Sequence, residues 1–325
     1  NLTALLTARN VKKDQLDPAL QPALMVSEQA HYCVDRAAMT MGWPTEAVIK
    51  IPVDSAFRMR TDLLEAHLAQ AREKGLQVIA IVGSACSTST GSYDDLNAIA
   101  AFAERHQLWM HVDGAHGACV VFSESHRPLI AGIDKADSLI LDFHKMLMTP
   151  GLATALLYKD NRHGFQTFAT EAAYLLDASE NWYDTGKRTY ECTKYMMSAK
   201  IFSIWQQHGE AAFAKYVDTC YGLARQFAEV IEARPGFEVA TAVQSNILCF
   251  RWAGRDLSES EINQINTTVR QQLLEAGTFY IVQTTLNGRR YLRMTVMNPF
   301  SSSGHVNSLL DEIESLVSNA LPSEK

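Results

Sequence analysis

From Asp62 to Gly75 the apolar residues fall at helical spacing and the run stops at a glycine, which predicts a helix. Val78 to Val82 is a short continuous apolar run, the pattern of a buried strand. A polar, Ser/Thr-rich turn covers Gly83 to Ser92, Asp95 to His106 is helical again, and Leu108 to Val112 is a second strand. Ala136 to Leu141 and Ala153 to Tyr158 repeat the strand pattern. Strands alternating with helices of this length imply crossover connections and a mostly parallel α/β sheet, with ligands beyond the carboxyl ends of the strands.

Past Gly164 the texture changes. A polar stretch from Asp177 to Lys187 leads into a helix expected from about Thr189 to Gly209, bridging two domains. The remaining pattern is helix (Ala211 to Arg234), strand (Asn246 to Trp252), helix (Ser258 to Gly277), strands (Thr278 to Thr284, Tyr291 to Val296) and a last helix (His305 to Leu321). The expected division is a large α/β domain over 1–209 and a smaller α+β domain over 210–325. At about 150 residues per domain, the 325 residues agree with two.

Composition narrows the partners. With 36 acidic against 29 Lys and Arg residues, the chain lacks the basic footprint of a nucleic-acid or anionic-membrane binder. It has no run of the roughly 18 apolar residues that would span a bilayer. The six cysteines are far apart, Cys192 and Cys220 being the nearest pair, so no C-x-x-C motif exists; reduced thiols and a cytoplasmic location are expected. Sequons at Asn1 and Asn266 are read as chance.

Four polar clusters fall at expected strand ends or near them: Ser84 to Ser92, His111 to His116, Asp142 to Lys145, and His31. Lys145 follows an apolar strand and precedes Met146-Leu147-Met148, so partial desolvation would lower its pKa and make a nucleophile; the plain alternative is a surface lysine with a snorkelling stem. Asp113 ends a core strand, and a buried carboxylate there needs a cationic or hydrogen-bonding partner such as a protonated pyridine nitrogen. A metal cluster of His111, Asp113 and His116 is disfavoured, because His116 is expected beyond the strand face shared by the other two. Gly114, Ala115 and Gly117 suit a flat group close to backbone. The Gly83 to Ser92 turn lacks both G-K-[ST] and G-x-G-x-x-G, which argues against a nucleotide.

Three ordered segments, Ser27 to Ala38 around His31, His111 to Gly117, and Ala136 to Lys145, resemble the signatures of group II pyridoxal-phosphate amino-acid decarboxylases, including the interval from Asp113 to Lys145. The resemblance implies the aspartate-aminotransferase-like fold of type I pyridoxal enzymes and a homodimer with its active site at the subunit interface. It also implies roles. Lys145 would hold the cofactor covalently, Asp113 would pair with the ring nitrogen, and His31 and Ala115 would pack on opposite ring faces. His144 and Asp142 would lie near the phosphate, and Thr88 near cofactor or substrate. The segment Trp182 to Lys187 resembles the mobile loop of the glutamate branch, making Tyr183 the general acid, or otherwise an aromatic anchor. Arg293 matches an arginine that binds a substrate carboxylate.

Asn1 resembles the last residue of the family's Gly-Gly-(Ser/Thr)-x-Ala-Asn turn, whose amides cradle the phosphate. A chain truly starting there would hold cofactor weakly, and a longer one would be active. The expected substrate is an L-amino acid: 2,4-diaminobutyrate first, then glutamate, then an aromatic amino acid. A transaminase or aldolase of the same fold, or an inactive homologue serving as a scaffold, are the alternatives.

Overall fold

The computed structural model describes residues 1–169, 183–191, 193–254 and 257–320. The chain divides into two compact units, one of residues 1–88 and 93–214, the other of 89–92 and 215–325.

The first unit is built on six strands, β1 (Gln21–Ser27), β2 (Val48–Ile51), β3 (Leu76–Ser84), β4 (Trp109–Asp113), β5 (Ser138–Asp142) and β6 (Thr154–Tyr158), in the order β2-β1-β3-β4-β5-β6. All neighbours pair parallel except β6, which runs antiparallel to β5. Among the described residues this unit also holds the helices α1 (Leu2–Lys12), α2 (Cys33–Thr40), α3 (Leu64–Glu73), α4 (Leu96–Arg105) and α5 (Arg162–Phe168). The Asp95 side chain accepts the Ala98 amide and so starts α4, where the sequence places it. Leu5 and Ala8 of α1 and Val34 and Ala37 of α2 join Leu24, Val26, Ile79, Val82 and Trp109 in one core cluster. The register sets Ser84 opposite Asp113, and Asp113 opposite Ile140, so the polar ends of β3, β4 and β5 lie side by side.

Strands β1 and β2 are not foreseen from the sequence pattern. β1 carries Pro22, Ala23 and Met25, which are poor strand formers, and β2 is only four residues long. Burial on both faces, not local preference, holds β1 in the sheet: Ala23 through Val26 are fully buried.

Helix α6 (Met197–Glu232) breaks at Gly209, whose backbone (φ 68°, ψ 178°) is non-helical. It begins eight residues later than the spacing suggests. Upstream, the Thr189 hydroxyl bonds backbone carbonyls of Thr185 and Glu191, a local alternative to helix.

The second unit carries an antiparallel sheet in the order β7-β8-β10-β9, from β7 (Phe237–Val239), β8 (Ile247–Trp252), β9 (Val282–Leu286) and β10 (Arg289–Thr295), with α7 (Glu259–Ala276) and α8 (Ser303–Ala320). A Ser258/Glu261 capping box opens α7, and Gly277 in the left-handed conformation closes it. Asn287 and Gly288, both at positive φ, make the tight turn that ties β9 to β10. That turn fixes the register and moves β9 from the expected 278–284 to 282–286. Asn266 is fully buried and bonds both polar backbone groups of Trp252, so this sequon is a structural asparagine.

Candidate active site

A cavity of about 250 Å³ lies at the carboxyl ends of the first unit's strands. It gathers Lys145, Asp113, His31, Ala115, Thr88 and Asp142 from the sequence-derived set. Asn1, Cys33, Cys86, His116, Ile140 and Thr154 line it as well.

Lys145 follows β5 in a tight turn, its amide donating to the Asp142 carbonyl. Its Nζ is 2.9 Å from Asp142 Oδ2, with 38% of the side chain exposed. The flanking Met146 and Leu147 are fully buried, and the half-buried amine itself meets a carboxylate and some solvent. The other Asp142 oxygen accepts from Thr154 Oγ1 at 2.6 Å. Asp142 is therefore a buried carboxylate explained by two donors, both within the cavity wall.

Asp113 terminates β4 and accepts from both sides. Its Oδ1 takes the Ala115 amide at 3.2 Å, and its Oδ2 takes Asn1 Nδ2 at 3.1 Å and a long Cys33 thiol contact at 3.7 Å. The Cys33 amide donates to His31 Nδ1 at 3.3 Å, orienting that ring. Burial holds the His31 imidazole below its ordinary pKa, opposed by the Asp113 charge and assisted by Lys145 and Arg36. Burial likewise pushes the Cys33 thiol up to about 12, so it is a protonated donor and no nucleophile. Small residues are required beneath: a Cβ on Gly114 would come within 2.6 Å of Ala118 Cβ, and one on Gly117 within 2.6 Å of the Cys86 amide nitrogen.

Three sequence-derived residues stand apart from this cavity wall. His144 turns its Nδ1 to the backbone of Ala153, 3.0 Å from the carbonyl oxygen, and its Nε2 is 3.8 Å from Asp142. Tyr183 is 60% exposed and is followed by a buried Lys187 paired with Asp184 at 3.1 Å. Trp182 and the stretch before it to residue 170 lie outside the described residues. Arg293 belongs to β10 of the second unit, where it lines a cavity of about 360 Å³ with Phe279, Met294 and His305.

His116 is the clearest omission from the sequence reading. It lies beyond the end of β4, as the sequence implies, and the turn there brings it to the cavity that Asp113 lines. Cys33 is also missed as a site residue, as is the contact of Asn1 with Asp113; no spacing rule links a residue preceding α1 to one ending β4.

A parallel α/β sheet whose strand ends offer one lysine, a carboxylate and a flanking imidazole defines the class of lysine-centred α/β sites. The chain belongs to the pyridoxal-dependent decarboxylase family, whose conserved domain matches residues 2–253. It is 28% identical to human acidic amino acid decarboxylase GADL1 over 329 residues, covering 97% of this chain and 63% of that protein. It is also 28% identical to the aromatic-L-amino-acid decarboxylase of Bacillus atrophaeus, over 97% of this chain and 66% of that one. A crystal structure of mouse CSAD superposes with a TM-score of 0.89 at 27% identity, covering 97% of this chain and 69% of CSAD. The glutamate decarboxylase domain of a diaminobutyrate-pyruvate transaminase and L-2,4-diaminobutyrate decarboxylase from Vibrio parahaemolyticus gives 0.84 at 26%, with 98% and 65% covered. The chain thus spans less than two thirds of the length of the curated relatives named here.

The residues present fit the family's cofactor. The cavity offers an amine, a carboxylate that accepts from its neighbours, an imidazole oriented by a backbone amide, and the small side chain of Ala115, between Gly114 and Gly117, which have no room for a Cβ. Among the described residues no three His, Cys, Asp or Glu side chains gather to hold a metal.

Proposed function

We propose that this chain is the catalytic core of a pyridoxal-phosphate-dependent decarboxylase of an L-α-amino acid. The observation that carries the reading is the single cavity that collects Lys145, Asp113, His31 and Ala115 at the ends of parallel strands. When bound, the cofactor supplies an electron-accepting ring that stabilises the charge left as carbon dioxide departs.

The chain's own residues do the rest. Lys145 Nζ is the anchoring amine, and Asp142 Oδ2 holds it in place before it is used. Thr154 in turn fixes Asp142. Asp113 presents an acceptor to the ring nitrogen. His31, kept uncharged near neutral pH by burial, gives a flat face rather than a cation, while Ala115 gives a small one. Thr88 lines the same cavity and contacts cofactor or substrate. His144 supports the phosphate end from behind Asp142. Tyr183 carries the proton returned to the substrate, from a loop position exposed on this chain and consistent with service to a second copy in a homodimer. Arg293 takes a substrate carboxylate with its planar fork. The large and small domains are taken to divide near Gly209.

For the substrate we infer 2,4-diaminobutyrate first and glutamate second, with an aromatic amino acid third. The Vibrio parahaemolyticus and human relatives support the first two and the Bacillus atrophaeus relative the third. We infer a cytoplasmic enzyme acting on a small molecule; no described helix is long and apolar enough to cross a membrane. The test is absorbance of the full-length protein titrated with pyridoxal phosphate, before and after Lys145→Ala, followed by carbon dioxide release from a panel of these amino acids. A visible band abolished by Lys145→Ala, with carbon dioxide from one of them, is the expected result. Amine exchange without carbon dioxide would replace decarboxylation by transamination, and no band would overturn the cofactor assignment.

A further inference from the structure

Behind Asp113 lies a line of buried polar groups. Asn1 Nδ2 donates to Asp113 Oδ2 at 3.1 Å, and Asn1 Oδ1 is 2.8 Å from His111 Nε2. On the far side of that ring, His111 Nδ1 is 2.8 Å from Ser138 Oγ, which accepts from Trp109 Nε1 at 2.8 Å. His111, Ser138 and Trp109 are all buried at the 2% level or below.

Elementary chemistry gives this line one direction. Asp113 carries two acceptor oxygens, so Asn1 must turn its NH2 towards it and its carbonyl oxygen towards His111. His111 Nε2 must then carry the proton. Burial drives the His111 pKa down to about 3, so the ring has only one proton and Nδ1 is an acceptor. The Ser138 hydroxyl fills that acceptor, and the Trp109 indole, which can only donate, fills the hydroxyl oxygen. The Ser138 carbonyl, 3.2 Å from Nδ1, would favour the other tautomer, but that choice would set Asn1's carbonyl against the carboxylate.

We propose that Trp109, Ser138, His111 and Asn1 form a one-way chain of donors that positions Asp113 as an acceptor for a protonated heteroaromatic ring nitrogen. His111 is thereby a positioning residue, acting on a ligand through Asn1 and Asp113. The inference rests on the cofactor reading above and adds to it Trp109, Ser138 and His111, which lie outside the cavity lining and reach Asp113 through Asn1, which lines it. Mutually polarised hydrogen bonds in a dry interior make such a line stiffer than its separate members.

The test compares binding of pyridoxal phosphate with binding of its analogue in which the ring nitrogen is replaced by carbon, by absorbance titration of the full-length protein. Wild type is expected to prefer pyridoxal phosphate, and Asp113→Asn to lose that preference. His111→Leu should reduce the preference several-fold, up to about tenfold, the effect of losing one neutral hydrogen bond, the one to Asn1. His111→Gln, whose amide can donate from the Nε2 position, should restore it to within about threefold. Equal weakening of both ligands by His111→Leu would mean a merely structural histidine and would overturn the proposal. If His111→Leu does not fold, Ser138→Ala and Trp109→Phe carry the same comparison, each deleting one donor. A wild type without any preference overturns the cofactor reading and this chain together, whereas a preference lost in Asp113→Asn but intact in all three chain variants overturns the chain alone.

Discussion

Lys145 Nζ and Asp142 Oδ2 are 2.9 Å apart across one turn of backbone, and the carboxylate's other oxygen is held by Thr154. The lysine that the sequence marks as a nucleophile is thus held as half of an ion pair. To attack a carbonyl, Nζ has to leave that carboxylate and reach the carbonyl carbon.

Asp142→Asn therefore separates restraint from reactivity. The substitution keeps a hydrogen-bond acceptor for Thr154 and removes the charge facing Lys145. Because the lysine is partly exposed, stability should change by no more than about 1 kcal/mol. Capture of pyridoxal phosphate at neutral pH, trapped by borohydride and timed by mass spectrometry, should become several-fold faster. An unchanged or slower rate would show that Asp142 does not restrain the amine.

His111 makes acid stability a second readout. Its folded pKa of about 3 lies below the ordinary 6.5, so below pH 6.5 the unfolded chain binds a proton that the native chain refuses. Stability then falls with acidification from about 6.5 downward until the folded ring protonates near 3. Asp94 acts in the opposite sense. Its buried carboxyl, raised to about 6, takes up a proton in the native state before it would when unfolded, which adds stability between about 6 and 3.8. The difference between wild type and His111→Gln isolates the histidine, since Asp94 is common to both. Between pH 7.5 and 5.5 wild type should lose about 1 kcal/mol more than the variant in urea unfolding. Equal slopes would place a charged histidine in the folded core.

Much of this site is legible in the sequence because strand ends concentrate chemistry. Lys145, Asp113 and Ala115 follow apolar strands, and their neighbourhood follows from parallel topology alone. His31 comes through the family's motif, since β1 ahead of it carries Pro22 and Ala23 and only one β-branched residue, Val26. What the sequence hides is whatever the fold brings together from a distance. Asn1 meets Asp113 and His111 because α1 packs beside β4, and neither partner carries a local trace of that meeting. Lys145's ion pair was hidden for another reason: the apolar neighbours that suggest desolvation turn into the core and leave the ammonium with Asp142. In the second unit the strand boundaries were set by a two-residue Asn-Gly turn rather than by where the apolar run begins.

The second unit should be separable from cofactor binding. Arg251 of β8 is only 3% exposed in its side chain, pairs with Glu238 at 2.6 Å and with Glu259, and lies 5.0 Å over the Tyr291 ring. Arg251→Met removes the charge and keeps most of the volume. The two glutamates are more than a third exposed and regain water, so the cost should be near 2 kcal/mol rather than the 3–5 of a fully buried broken pair. Thermal unfolding should show that loss, while the pyridoxal phosphate affinity at 25 °C stays within about twofold. A large fall in affinity would tie this ion cluster to the site.

Gly117 ties packing to the cavity more directly. Its amide donates to the Ala85 carbonyl and its own carbonyl accepts from Tyr93 Oη, both at 3.0 Å, which fixes the segment that sends Cys86 and Thr88 into the cavity wall. A Cβ there would meet the Cys86 nitrogen and Tyr93 Oη at 2.6 Å, and the backbone nitrogen cannot swing aside as a side-chain end could. Gly117→Ala should therefore cost about 1–3 kcal/mol by overpacking and weaken pyridoxal phosphate binding at least tenfold by displacing Cys86 and Thr88. Gly222 supplies the contrast: it is exposed within α6, and a Cβ on it would meet nothing within 4 Å. Gly222→Ala should raise stability by about 0.5–1 kcal/mol and leave binding unchanged, because it only removes backbone freedom from the unfolded chain. Equal effects of the two substitutions on binding would mean that the close packing around Gly117 does not shape the cavity.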